Sequence, residues 1–76
     1  MSAPTRTSLI TAAHVLAAIS MVPAEDWTNG EFSLHHAAFD VYREACNAHG
    51  CVDQDTTRSA SQHALDLAME PTYPGR

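Results

Sequence analysis

The segment EACNAHGCVDQD, residues 44–55, concentrates most of the reactive chemistry of this chain: both cysteines, a histidine and acidic side chains. Glycine after a helix commonly takes the left-handed C′ position. With Gly50 there, Cys46 becomes C3 and Cys51 becomes C″, the two positions whose side chains meet in a Schellman turn. Three chemistries fit that pairing. Two reduced thiols can form a small apolar contact, as free cysteine packs like a small hydrophobe. A Cys46–Cys51 disulfide would close a short loop and stabilise by about 2 kcal/mol, in an oxidising compartment. Zinc could be held by Cys46, His49 and Cys51, with His63, Asp53 or a second subunit as fourth ligand. C-x2-H-x-C is not a common zinc spacing, however, and no second CxxC or HxxxH knuckle accompanies it. The expectation is therefore no bound metal and no cofactor, with Cys46, His49, Cys51 and His63 as the residues to watch.

Other catalytic signatures are missing. There is no G-x-G-x-x-G, P-loop, H-E-x-x-H or G-x-S-x-G. DQDTTRSASQHA opens like a calcium loop at Asp53 and Asp55, then has Arg58 where glycine is required and Ala64 where glutamate is required. A Cys46–His49 nucleophile pair would share one helical turn without an orienting group or oxyanion donors. The chain reads as a non-enzyme.

Three helices position these residues. The first spans about residues 8–21, capped by Thr7 or Ser8, with Leu9, Ala12, Ala13, Leu16 and Ile19 on one face. Ile10, Val15, Ala17, Met21 and Val22 lie off that face, so the helix is apolar nearly all round, as in a central helix or half of an interface. Pro23 ends it. Thr28 to Glu31 spells T-x-x-E, a capping box for a second helix over about 29–49, with Ser33 as the competing cap. That helix carries two neighbouring stripes: Leu34, Ala38, Val41, Ala45 and Ala48, then Phe32, His35, Phe39, Tyr42, Cys46 and His49. It should pack against two neighbours and form the centre of the fold. His36 and Asp40, four apart, read as a solvated pair. The third helix spans about 55–69, capped by Asp53 or Asp55, and EPTYPGR closes as an extended tail over 70–76. The expected fold is all-α: one compact three-helix domain over 1–76.

Composition limits the partners. Nine acids face four arginines and no lysine, for a net charge of −5. That disfavours phosphate-backbone binding and anionic membrane surfaces. A helix-turn-helix built from the second and third helices remains as an acidic regulator, although its connector is long and its recognition helix carries one arginine. The apolar run from Leu9 to Val22 is too short to span a bilayer. With Val22-Pro23-Ala24 it outlines a signal peptide, interrupted by Thr11, His14 and Ser20. A cytoplasmic location is expected, with secretion as the alternative.

Leu9-x-x-Ala12-Ala13, then Trp27-Thr28-Asn29-Gly30, then an alanine-rich helix and a short third one, resembles a family of small uncharacterised actinobacterial and actinophage domains. Leu34-His35-His36-Ala37 stands where that family has a cysteine and a Gly-Ala pair. The resemblance implies a small accessory protein, phage- or actinobacteria-encoded, and assigns no functional residue.

A chain of this size buries only about 60% of its unfolded surface, and alanine adds little apolar area. The large apolar residues are few, so a protein partner, here a second copy, should complete the core. The expected interface is Ile10, His14, Ala17 and Met21, with Trp27 and Tyr42 as anchors. Trp27 also has a plainer reading, as a plug over one end of the core. The function expected is a non-catalytic protein-binding accessory or inhibitory module. A zinc- or disulfide-stabilised module and the acidic helix-turn-helix are the alternatives.

Overall fold

The computed structural model describes residues 3–75. It contains three helices, α1 (Arg6–Ser20), α2 (Asn29–His49) and α3 (Thr57–Met69), with a short 3-10 turn at Ala24–Asp26 between the first two. No strand occurs among the described residues.

Each helix start is set by a threonine. Thr5 accepts a hydrogen bond from the Ser8 N–H at the head of α1, two to three residues ahead of the caps expected from sequence. Thr28 caps α2 through a complete capping box: its hydroxyl takes the Glu31 N–H while the Glu31 carboxylate takes the Thr28 N–H. Thr56 caps α3 by accepting from the Ser59 N–H. Asp53, one of the expected caps, instead faces Arg43 of α2 at 3.6 Å.

Contacts between helices give their directions. His35 meets Thr57, and Tyr42 meets His63, so α2 and α3 run the same way. The Arg6 guanidinium at the start of α1 reaches the carbonyl of Ala68 near the end of α3, so α1 runs against α3. A parallel α2–α3 pair requires the connector to travel back along α2. From His49 to the level of His35 is about 21 Å of helix, close to the reach of seven extended residues. After the turn at Gly50, the segment to Thr56 therefore crosses back along α2 as an extended strap, pinned midway where the Gln54 N–H donates to the Tyr42 hydroxyl at 2.7 Å. A helix-turn-helix joins its two helices through three or four residues at about 90–120°; this parallel, strapped arrangement is a different geometry.

The core runs between all three helices. α2 contacts both neighbours, and α1 makes its most extensive contact with α3. Seven of the fifteen buried apolar residues are alanine, which brings helix axes close but removes little hydrocarbon from water. The large buried side chains are Leu9, Leu16, Ile19, Phe39, Tyr42, Leu67 and Tyr73.

Residues 70–75 do not extend away as the sequence suggested. Tyr73 is buried in the core and its hydroxyl donates to the Pro4 carbonyl at 2.6 Å. Arg6 also lies over the Tyr73 ring and reaches the carbonyls of Pro71 and Tyr73. Its charge thus satisfies carbonyls that α3 leaves unpaired at its end. No helix among the described residues is long and apolar enough to cross a membrane.

Candidate functional site

The C-terminal end of α2 folds as the glycine rule requires. Gly50 has φ +82°, and both the Gly50 and Cys51 N–H groups donate to the Cys46 carbonyl, at 2.8 and 3.0 Å. The second of these is the 6→1 bond of a Schellman turn. It brings Cys51 back beside Cys46. The two sulfurs are not bonded to each other. The Cys51 thiol is directed at the Cys46 carbonyl, 3.7 Å away, rather than at its sulfur.

His63 of α3 completes the cluster. One ligand atom from each of Cys46, Cys51 and His63 lies within 4.8 Å of the other two, and the Cys46 Sγ to His63 Nδ1 distance is 4.0 Å. His49 belongs elsewhere: its ring faces Tyr73, at a centroid distance of 6.4 Å. The i,i+3 spacing from Cys46 put both on one side of α2, but the turn after Gly50 carries Cys51 to the α3 side, whereas His49 sits against the returning tail. Of the five residues named from sequence as possible ligands, the structure gathers Cys46, Cys51 and His63 and leaves out His49 and Asp53.

Tyr42 is the hub beneath this cluster. Its side chain is fully buried, which corrects its expected role as an interface anchor: at this level of α2 the aromatic stripe faces α3 and the strap, whereas Phe32 at its start is 51% exposed. The hydroxyl accepts the Gln54 N–H and lies 2.6 Å from His63 Nδ1. The hydroxyl oxygen accepts from Gln54 and can exchange a further hydrogen bond with Nδ1, in a direction set by the imidazole tautomer. Burial is the main cause raising the Tyr42 pKa well above the usual phenol value of 10.0. Burial likewise pushes the Cys46 thiol from 9.0 up to about 12, with the neighbouring Cys51 and Asp53 adding to the rise and the Tyr42 hydroxyl opposing it.

These environments bear on the chemistry open to the cluster. A cysteine nucleophile needs thiolate character and access; Cys46 is about 1% exposed and held as a thiol. Coordination to a soft metal ion would deprotonate such a thiol.

A line of rings leads away from the cluster along α2. His63, Tyr42, Phe39, His35, Trp27 and Phe32 follow one another with centroids 4.9–5.5 Å apart. Arg43 covers the outer side of Phe39 at 4.7 Å. Trp27 ends this line as a plug rather than a free anchor, with its indole N–H donating to the Val22 carbonyl at 2.8 Å.

The second feature is a groove between α1 and α2, lined by Ala12, Val15, Leu34, Ala37, Ala38 and Val41, with no charged side chain among its lining residues. Leu34 remains 54% exposed at its rim. Of the interface residues named from sequence, His14 is exposed and Met21 is 85% exposed, whereas Ile10 packs partly onto the core. Ala17 and Met21 line a more polar cleft against α3, with Arg58 and Gln62. The uncharged apolar surface thus lies on the α2 side of α1, about 140° around the helix from the stripe expected. No family model, no curated protein and no solved structure matches the chain.

Proposed function

We propose that the chain is a non-catalytic protein-binding accessory module that docks protein through the groove between α1 and α2, and that its first partner is a second copy of itself. The observation that carries this is the uncharged groove with Leu34 half-exposed beside it. In a domain whose core is nearly half alanine, covering that surface supplies burial the single chain lacks.

The shape and charge of the face suit a second copy. Leu34, Ala37, Ala38 and Val41 form one stripe of α2 beside Ala12 and Val15 of α1. A two-fold axis across the face brings this stripe against its copy, as an isologous interface requires. The net charge of −5 opposes self-association, but the lining of this groove contributes none of it. A stable interface takes about 800 Å² from each partner; that is comparable to one 37 × 19 Å long side of this molecule. A reducing cytoplasm, where adjacent thiols persist, would suit this module.

Solution mass over a micromolar concentration series tests the reading. The expected result is a dimer that Ala37→Glu converts to monomer, since Ala37 is exposed and its replacement leaves the core intact. A wild-type protein that stays monomeric throughout removes the self-association claim. A dimer indifferent to Ala37→Glu moves it to another face.

A further inference from the structure

We infer that Cys46, Cys51 and His63 form a zinc site in which the thiolates of Cys46 and Cys51 and one imidazole nitrogen of His63 supply three of four tetrahedral ligands. The three come from separate segments: the last turn of α2, the strap, and the middle of α3. They nevertheless converge within 4.8 Å of one another. Zinc bonds of about 2.3 Å to sulfur and 2.0–2.1 Å to nitrogen place tetrahedral donors roughly 3.5–3.8 Å apart. The Cys46 Sγ to His63 Nδ1 distance of 4.0 Å is already near that value. Small side-chain rotations, with no movement of the helices, complete the approach.

The donor set selects the ion. Two thiolates and an imidazole suit zinc, whereas magnesium and calcium require oxygen ligands. A water molecule provides the fourth position, since Asp53 is engaged with Arg43 at 3.6 Å. The reaction balances simply. Two S–H bonds break, two Zn–S bonds form, and both protons leave to solvent. The hydroxyl of Tyr42 lies 2.6 Å from His63 Nδ1. When that nitrogen takes the ion, the same hydroxyl turns its proton to the Cys46 thiolate, as an outer-shell donor that orients and steadies the ligand.

The consequence is structural. The site joins the end of α2, the strap and α3, three segments that a parallel helix pair leaves connected by a single extended crossing. This rests on no feature of the α1–α2 groove, so it stands or falls apart from self-association.

Cobalt(II) and zinc(II) titrated into the reduced full-length protein test the inference. Expected are one ion per chain, the intense thiolate-to-cobalt bands of a tetrahedral site, and two protons released for each zinc bound. Zinc at 100 times its Kd should raise Tm by about 10–20 °C. Cys51 is only half-buried, so Cys51→Ser should fold and lose the thiolate bands together with most of the zinc-induced Tm rise. His49→Gln should bind as the wild type does. A weak octahedral cobalt spectrum, an unmoved Tm, or full binding in Cys51→Ser would each overturn the assignment, and loss of binding in His49→Gln would transfer it to the other histidine.

Discussion

At the scale of single residues, the most informative side chain outside the cysteine cluster is His35. It hydrogen-bonds Thr57 of α3 at 3.0 Å and stacks between Trp27 and Phe39. Burial lowers its pKa from 6.5, and the nearby charges of His36 and Arg43 lower it further. The unfolded chain therefore takes up a proton that the folded chain resists. The contribution of His35 to stability is complete above about pH 6.5 and is lost as the pH falls through that value towards the lower folded one. Thermal unfolding between pH 7 and pH 5 should show Tm falling, and His35→Gln should flatten that dependence. An unchanged slope in the variant would assign the effect to other groups. Sequence alone placed His35 on an aromatic stripe, because its neighbours in that stripe follow helical spacing. It could not name Thr57 as the partner, since that contact depends on where the strap delivers α3.

The individual helices were legible wherever their determinants are local. The Thr28–Glu31 capping box and the left-handed Gly50 each depend on residues within one or two turns, and both form as the sequence implies. The α3 cap is a different case. Asp53 and Asp55 were as suitable as Thr56 by residue type, but the strap must stay extended to reach back along α2, and Asp53 is drawn to Arg43 instead. Gly50 is where local conformation governs the cluster. A Cβ placed there would meet nothing within 4 Å, so the cost of Gly50→Ala is purely conformational. Holding alanine at φ +82° should cost about 1–2 kcal/mol, read as a Tm lower by roughly 4–16 °C in a domain of this size. Gly50→Asn should lose less, because asparagine tolerates the left-handed region. If alanine were neutral, the turn that pairs Cys46 with Cys51 would not be fixed by this glycine.

For the whole molecule, the decisive contacts are those most distant in sequence, and none has a local signature. Residues 3–6 and 68–75 are joined by the Tyr73 hydroxyl on the Pro4 carbonyl, by Arg6 on three carbonyls of the closing segment, and by Gly75. A Cβ on Gly75 would lie 1.9 Å from the Pro4 carbonyl oxygen, so only glycine permits this approach. The prolines around Tyr73 suggested a free tail because proline excludes helix, which says nothing about burial. Yet Tyr73 is one of the few large side chains in a core rich in alanine. Removing a buried aromatic costs about 3–5 kcal/mol, against a total of roughly 4–11 kcal/mol expected for a domain of this length. Tyr73→Ala should therefore leave much of the protein unfolded at 37 °C, as measured by denaturant titration with circular dichroism. Tyr73→Phe keeps the ring and gives up only the bond to Pro4, a loss of about 0.5–1.5 kcal/mol. The gap between the two variants separates ring burial from the hydrogen bond. If Tyr73→Ala cost no more than Tyr73→Phe, the closing segment would be a surface strap rather than a wall of the core, and α1 and α3 would have to hold together through their alanine faces alone.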